Sequence, residues 1–294
     1  MNPFVNRGDK PTKTGFGEGL LEAGLHDERV VCLGSDITAS VGCNLFAEAL
    51  PHRFITLGIA EQNAVGVAAG LALEGKIPVF ATYGVFAAMR TADHIRVSLC
   101  YNNLHAVIGG AHAGVSVGPD GATQARLATL AAIRECRGPV YIRFGREAMP
   151  DFTLPGQEFR IGRAQVLREG RDLAVIATGH MTWEALLAAE ILAERGIGCR
   201  VVNLHTVKPI DHEAIVAAAV ETGAILTAEE HQVAGGMGSA VAEVVAARHP
   251  VPMAFTGMHD RFGESGRPRE LMQKFGMTAE AIAKEALDLL ARKR

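Results

Sequence analysis

One acid stands out by its setting. Glu61 is the single charged side chain in GIAEQNAVGVAAG, residues 58–70. The preceding RFITLGI alternates and is rich in β-formers, and small apolar residues follow at helical spacing. Glu61 is therefore expected where a buried strand turns into a buried helix. An acid in a first turn suits the helix dipole. Among apolar neighbours, however, burial disfavours the charged form and makes the group a candidate for holding or donating a proton. In VFATYGVFAAM, Phe80, Tyr83 and Phe86 recur at i, i+3, i+6 in a chain with only 5% aromatic residues. Such a series is either a core stripe or the wall of a pocket for a flat ring. The glycine-rich GGAHAGVSVGPDGATQ, residues 109–124, carries His112 and Asp120 and is too apolar for a solvated loop. GSDITAS offers Asp36 and Ser40, and YIRFGRE brings Arg143 and Arg146 to a strand end, where arginine is the natural anchor for a phosphate. His105, His112 and Asp120 do not make a compact ligand set, so no metal site is expected. EEHQVAGGMGSAVAE lacks a nucleotide fingerprint and reads as a tight strand–helix connection.

The elements that must position these residues alternate. In the first half, the strands RVVCLGSD, RFITLGI, KIPVFATY, LHAVIGG and PVYIRFG are separated by helical segments, among them EQNAVGVAAGLALEG, AAMRTADHIRVSLCYN and RLATLAAIRECRG. Apolar strands alternating with helices call for a parallel sheet covered on both faces. The Pro- and Gly-containing stretch at 147–160 is the best boundary, and a second α/β pattern follows it. The expected organisation is an α/β domain over 1–150, a linker over 151–160 and a second α/β domain over 161–294, each a largely parallel sheet flanked by helices. In open sheets of this kind ligands sit beyond the carboxyl ends of the strands. The candidate residues above fall in those turns.

Bulk properties narrow the function class. The 294 residues carry a formal net charge of −3 and no basic tract, which argues against nucleic acid as a partner. No apolar run is long enough for a membrane span, and the polar N-terminus is not a signal peptide. Five scattered cysteines without a C-x-x-C pair read as reduced thiols of a cytoplasmic protein. Gly66, Ala69 and Gly70 point to close helix packing at a contact between copies.

GIAEQN, the Phe80/Tyr83/Phe86 series, GAHAGVSVGPDGAT and VAGGMGSAVAE occur in one order that resembles the C-terminal half of a transketolase. More closely, the chain is similar to the separate C-terminal, β-type subunit of split transketolases, from about residue 12 to the end. The resemblance implies a pyrimidine-binding domain followed by a transketolase C-terminal domain, and ketol transfer between sugar phosphates with thiamine diphosphate. It implies that Glu61 shares a proton with the cofactor's aminopyrimidine and that Phe80, Tyr83 and Phe86 wrap that ring. Asp36 would lie on the thiazolium side. Ser40, Lys13 and Arg146, rather than Arg143, would meet phosphate; His112 would meet the donor hydroxyls and Asp120 an acceptor hydroxyl. Mg²⁺ and the diphosphate would be held by an N-terminal, α-type partner subunit, since the stretch that binds them in the family is absent here. A contact between two copies within a heterotetramer is also implied. The chain departs from the family pattern after residue 123, where one helix–strand unit of the first sheet is missing and Gln124 stands at or near a phosphate-contacting histidine. That departure keeps two further readings in play. One is a non-catalytic scaffold or regulatory subunit. The other is a related thiamine enzyme, similar to 1-deoxyxylulose-5-phosphate synthase or acting on an unphosphorylated sugar.

Overall fold

The computed structural model describes residues 4–115, 121–154 and 156–293. They divide into two compact units. One comprises 7–113, 121–154 and 156–159; the other comprises 160–293 with the short segments 4–6 and 114–115.

The first unit runs β1 (Asp9–Pro11), α1 (Thr12–His26), β2 (Val30–Gly34), α2 (Asn44–Ala49), β3 (Phe54–Thr56), α3 (Glu61–Leu73), β4 (Ile77–Tyr83), α4 (Ala92–His94), β5 (Val107–Ala111), α5 (Gly121–Arg134), β6 (Val140–Arg143) and β7 (Ala148–Pro150). Five strands make one parallel sheet in the order β3-β2-β4-β5-β6. Both faces are covered, as the apolar strands require. Phe16, Leu20, Phe46, Val79 and Phe144 belong to the core on one face. Leu33, Val65, Phe80, Leu99 and Ile108 belong to the core on the other. The segment read as one regular helix after β4 is instead the short α4 between two π-helical stretches, Phe86–Arg90 and Ile95–Cys100.

This sheet is continuous among the described residues. α5 leads directly to β6, and β6 pairs with β5 from Val107 opposite Val140 to Gly110 opposite Arg143. β1 and β7 form a separate antiparallel ribbon, Asp9 opposite Pro150, at the edge of the region expected to be linker. Gly17 of α1 holds the turn after β2 in place. Its missing side chain lets the backbone carbonyl of Gly42 approach so closely that a methyl group there would collide with it.

The second unit runs β8 (Gln165–Arg168), β9 (Leu173–Ala177), α6 (Met181–Ala193), β10 (Cys199–Asn203), α7 (His212–Thr222), β11 (Ile225–Gln232), α8 (Met237–Arg248), β12 (Met253–Met258), α9 (Pro268–Lys274) and α10 (Ala279–Arg292). Its sheet has the order β12-β11-β9-β10-β8, parallel except for β8, which pairs antiparallel with β10. Helix ends follow local chemistry. The Asp211 carboxylate accepts from Ala214 N–H at the start of α7, the Thr278 hydroxyl accepts from Ala281 N–H at the start of α10, and Gly223 ends α7 at φ 64°. Among the described residues no helix is long and apolar enough to cross a membrane.

Candidate active site

Glu61 is the first residue of α3, and it is 2% exposed. Ala60 before it gives no side-chain cap, so the carboxylate stands at the positive end of the helix without a competing acceptor. A buried carboxylate needs a partner. Glu61 finds it in Arg90, whose Nη1 donates to Oε2 over 2.8 Å. The Arg90 guanidinium lies 4.2 Å from the Phe86 ring centroid, in cation–π geometry, while its side chain stays 43% exposed. Acid, cation and ring therefore form one open stack. Sequence reading did not single out Arg90. The signal was present all the same: a lone buried acid demands a cation, and Arg90 follows Phe86 by one helical turn.

The second cluster forms around His112. Its ring stacks on Tyr83, centroids 4.4 Å apart and planes 22° apart, and Tyr83 in turn lies 6.0 Å from Phe86. His112 Nε2 meets the backbone carbonyl of Ser40 at 3.1 Å. The residue has φ 54°, a left-handed conformation uncommon for a side chain of this size. Burial pushes the His112 imidazole below its usual range. The Ser40 bond opposes this, Arg146 and Lys13 reinforce it, and Glu147 opposes it.

The remaining candidates are placed as follows. Asp36 is exposed in the turn after β2, and Lys13 lies in the first turn of α1. Arg146 is largely exposed, 3.8 Å from Glu147. Arg143 is half-buried. Asp120 lies outside the described residues. Phe80 is buried among the core residues on the α3 side of the sheet, whereas Tyr83 packs against the core of the opposite face. β4 runs through Tyr83, and a three-residue step along a strand changes face. Among the described residues no group of three or more His, Cys, Asp and Glu side chains is arranged to hold a metal ion.

The second unit holds a contrasting carboxylate. Glu229 is fully buried in β11 and accepts from Met237 N–H at 2.6 Å and Gly238 N–H at 2.8 Å, the first amides of α8. His231 Nε2 lies 2.6 Å from the same carboxylate. Side chains at Gly236 or Gly238 would strike it. This is the tight connection expected from EEHQVAGGMGS.

Comparison with known proteins agrees with this architecture. Residues 9–152 match the transketolase pyrimidine binding domain, and residues 162–282 match the transketolase C-terminal domain. The chain is 39% identical to a 6-deoxy-6-sulfo-D-fructose transketolase subunit of a Clostridium species, covering 93% of this chain and 92% of that one. It is 36% identical to a subunit of the apulose-4-phosphate transketolase of Phocaeicola vulgatus, covering 94% and 96%. A 1-deoxy-D-xylulose-5-phosphate synthase of Desulforudis audaxviator is 36% identical over 92% of this chain, but that match spans 47% of the synthase. The Clostridium alignment extends over 298 positions while taking in 93% of 294 residues, so about two dozen positions fall opposite gaps in this chain. Among solved structures, a split-gene transketolase in the form of an inactive beta4 tetramer superposes with a TM-score of 0.90 at 42% identity, covering 97% of this chain and 99% of that one. The chain belongs to the transketolase family and carries its pyrimidine-binding and C-terminal domains.

Proposed function

We propose that this chain is the β-type subunit of a thiamine-diphosphate-dependent transketolase that moves a two-carbon ketol unit from a ketose phosphate to an aldose phosphate, and that it works only with a separate α-type subunit. The observation that carries the reading is Glu61: a buried acid at a helix start, paired with a half-exposed arginine that lies over an aromatic ring. Those residues fit an aminopyrimidine, which needs a proton-sharing carboxylate and a flat apolar wall. A cofactor bound there would supply the carbanion chemistry that ketol transfer needs. This chain's own contribution is to hold a proton at Glu61, to wall the ring with Phe80, Tyr83 and Phe86, and to exclude water from the carboxylate. Asp36 faces the thiazolium side, and His112 meets the donor hydroxyls. Lys13, Ser40 and Arg146 receive the anionic end of the sugar, and Asp120 receives an acceptor hydroxyl. Mg²⁺ and the diphosphate are held by the partner. Similarity along more than nine-tenths of two separate transketolase subunits supports a partner of the α type. The exposed face of α3 serves contact between copies. Gly66 and Gly70 have open space where a side chain would be, and Leu73 is 71% exposed.

A second reading concerns the sugar. A relative named for a sulfonated fructose, and the changed segment after residue 123, favour an anionic end group other than phosphate. The test is ketol transfer from xylulose 5-phosphate, and from sulfonated and uncharged ketoses, to ribose 5-phosphate with thiamine diphosphate and Mg²⁺. Activity is expected only when the α-type subunit is added. A stable complex inactive on every donor would overturn the catalytic reading and favour a scaffold.

A further inference from the structure

In the second unit, His231 leaves a buried nitrogen without a partner among the described residues. Its Nε2 lies 2.6 Å from the Glu229 carboxylate, which only accepts, so Nε2 carries hydrogen. Its Nδ1 is buried and makes no hydrogen bond to the described residues. Buried polar atoms are almost always paired, so an orphan calls for an explanation. His231 lines a cavity of about 270 Å³ at the carboxyl ends of β11 and β12, the room of roughly nine waters at ~30 Å³ each. That is where open α/β sheets take ligands. Met258, Arg261 and Glu264 share the wall with Val115, which belongs to the same unit.

The loop after β12 is tied to β11 by one side chain. The Gln232 amide accepts from Asp260 N–H at 3.0 Å and donates to the Arg261 carbonyl at 2.6 Å, with Asp260 at φ 51°. Those bonds fix the backbone of Arg261 at the cavity wall. Its guanidinium has no ion-pair or hydrogen-bond partner among the described residues. Of the acids on the wall, Glu264 is paired with Lys274 at 2.6 Å, and Glu230 is engaged as well. Arg261 only donates, and Nδ1 of His231 donates once the ring takes a second proton, which an incoming anion favours. The group that satisfies both is therefore a negatively charged acceptor. We propose that this cavity binds a small oxyanion, a phosphate or a carboxylate, between the Arg261 guanidinium and Nδ1–H of His231, while Nε2–H of the same ring stays on Glu229. Glu229 acts as a positioning residue: the Met237 and Gly238 amides fix the carboxylate, and the carboxylate fixes the imidazole. The site is separate from Glu61 and does not rest on the reaction proposed above.

The test is a titration of the free chain with inorganic phosphate and with acetate, read by ring ¹⁵N NMR of labelled histidine. His231 is assigned by its loss in His231→Gln, and sodium chloride at matched ionic strength controls for screening. A saturable shift of the His231 Nδ1 signal toward the protonated position is expected with one or both anions. A response to phosphate alone, or to acetate alone, names the group that the cavity takes. Arg261→Ala should weaken that binding roughly 10- to 100-fold. Arg146→Ala should leave it unchanged, because the phosphate contact proposed there lies in the first unit. No saturable shift with either anion, or the same shift with chloride, would overturn the proposal. So would binding at His231 that Arg261→Ala leaves unaltered. Neither result bears on ketol transfer, which is read by turnover.

Discussion

The two units each bury a glutamate beside a parallel sheet, and the two are built to opposite ends. Glu229 is closed. Two helix amides and a histidine take its oxygens, and glycines at 236 and 238 leave no room for anything else. Glu61 is open. Its hydrogen-bond partner among the described residues is Arg90, a long cation nearly half in solvent. Burial alone does not mark a reactive group. What separates the two is whether the partners are fixed backbone or an exchangeable side chain. The histidines repeat the contrast. Burial holds His205 in the second unit down at about 4, next to the Thr206 hydroxyl, whereas the half-buried His112 feels the positive charges of Arg146 and Lys13.

On stability, the largest expected effect is at the closed site. Glu229→Gln turns an acceptor into a donor facing helix amides. It should cost roughly 2–4 kcal/mol, seen as a fall in Tm of about 5–10 °C. The specific activity of the protein that remains folded should not change. Next comes the pH response of the second unit. His205 titrates lower in the folded chain than in the unfolded one, so the unfolded chain takes up the proton first as pH falls. Stability should drop between the ordinary histidine range and pH near 4, by about 3 kcal/mol, and level off below. Denaturation midpoints across that range check it, and His205→Asn should flatten the slope. Arg90→Met leaves the buried Glu61 without its cation; the expected cost is roughly 1–3 kcal/mol, measured by urea unfolding. The smallest effect on folding is at Gly70→Leu on the open face of α3. It should leave the melt unchanged yet shift the size-exclusion profile to smaller species, and an unchanged profile would remove α3 from the contact between copies.

How much of this was legible in the sequence depended on range. The alternation of apolar strands with helices marked both sheets, because burial on two faces leaves continuous apolar runs. Glu61 was legible because a lone acid in an apolar stretch violates that pattern. The strand KIPVFATY was legible, but not that Phe80 and Tyr83 meet different cores, because a step of three along a strand reverses the face. The β1–β7 ribbon and β8 were missed because three- and four-residue strands pair over long separations and leave no local pattern. Arg90 and the Ser40 carbonyl were missed for the same reason, since each meets its partner only after the sheet has formed. The strain at His112 has no local signal at all, because histidine gives none of the freedom that glycine would announce.

The most direct measurement is turnover and Tm of the assembled enzyme carrying Glu61→Gln. If the open carboxylate serves proton transfer and the fold does not depend on its charge, turnover should fall by at least about a thousandfold while Tm moves by no more than about two degrees. Near-wild-type turnover, or a collapse in Tm like that expected for Glu229→Gln, would contradict the assignment of Glu61 to the reaction.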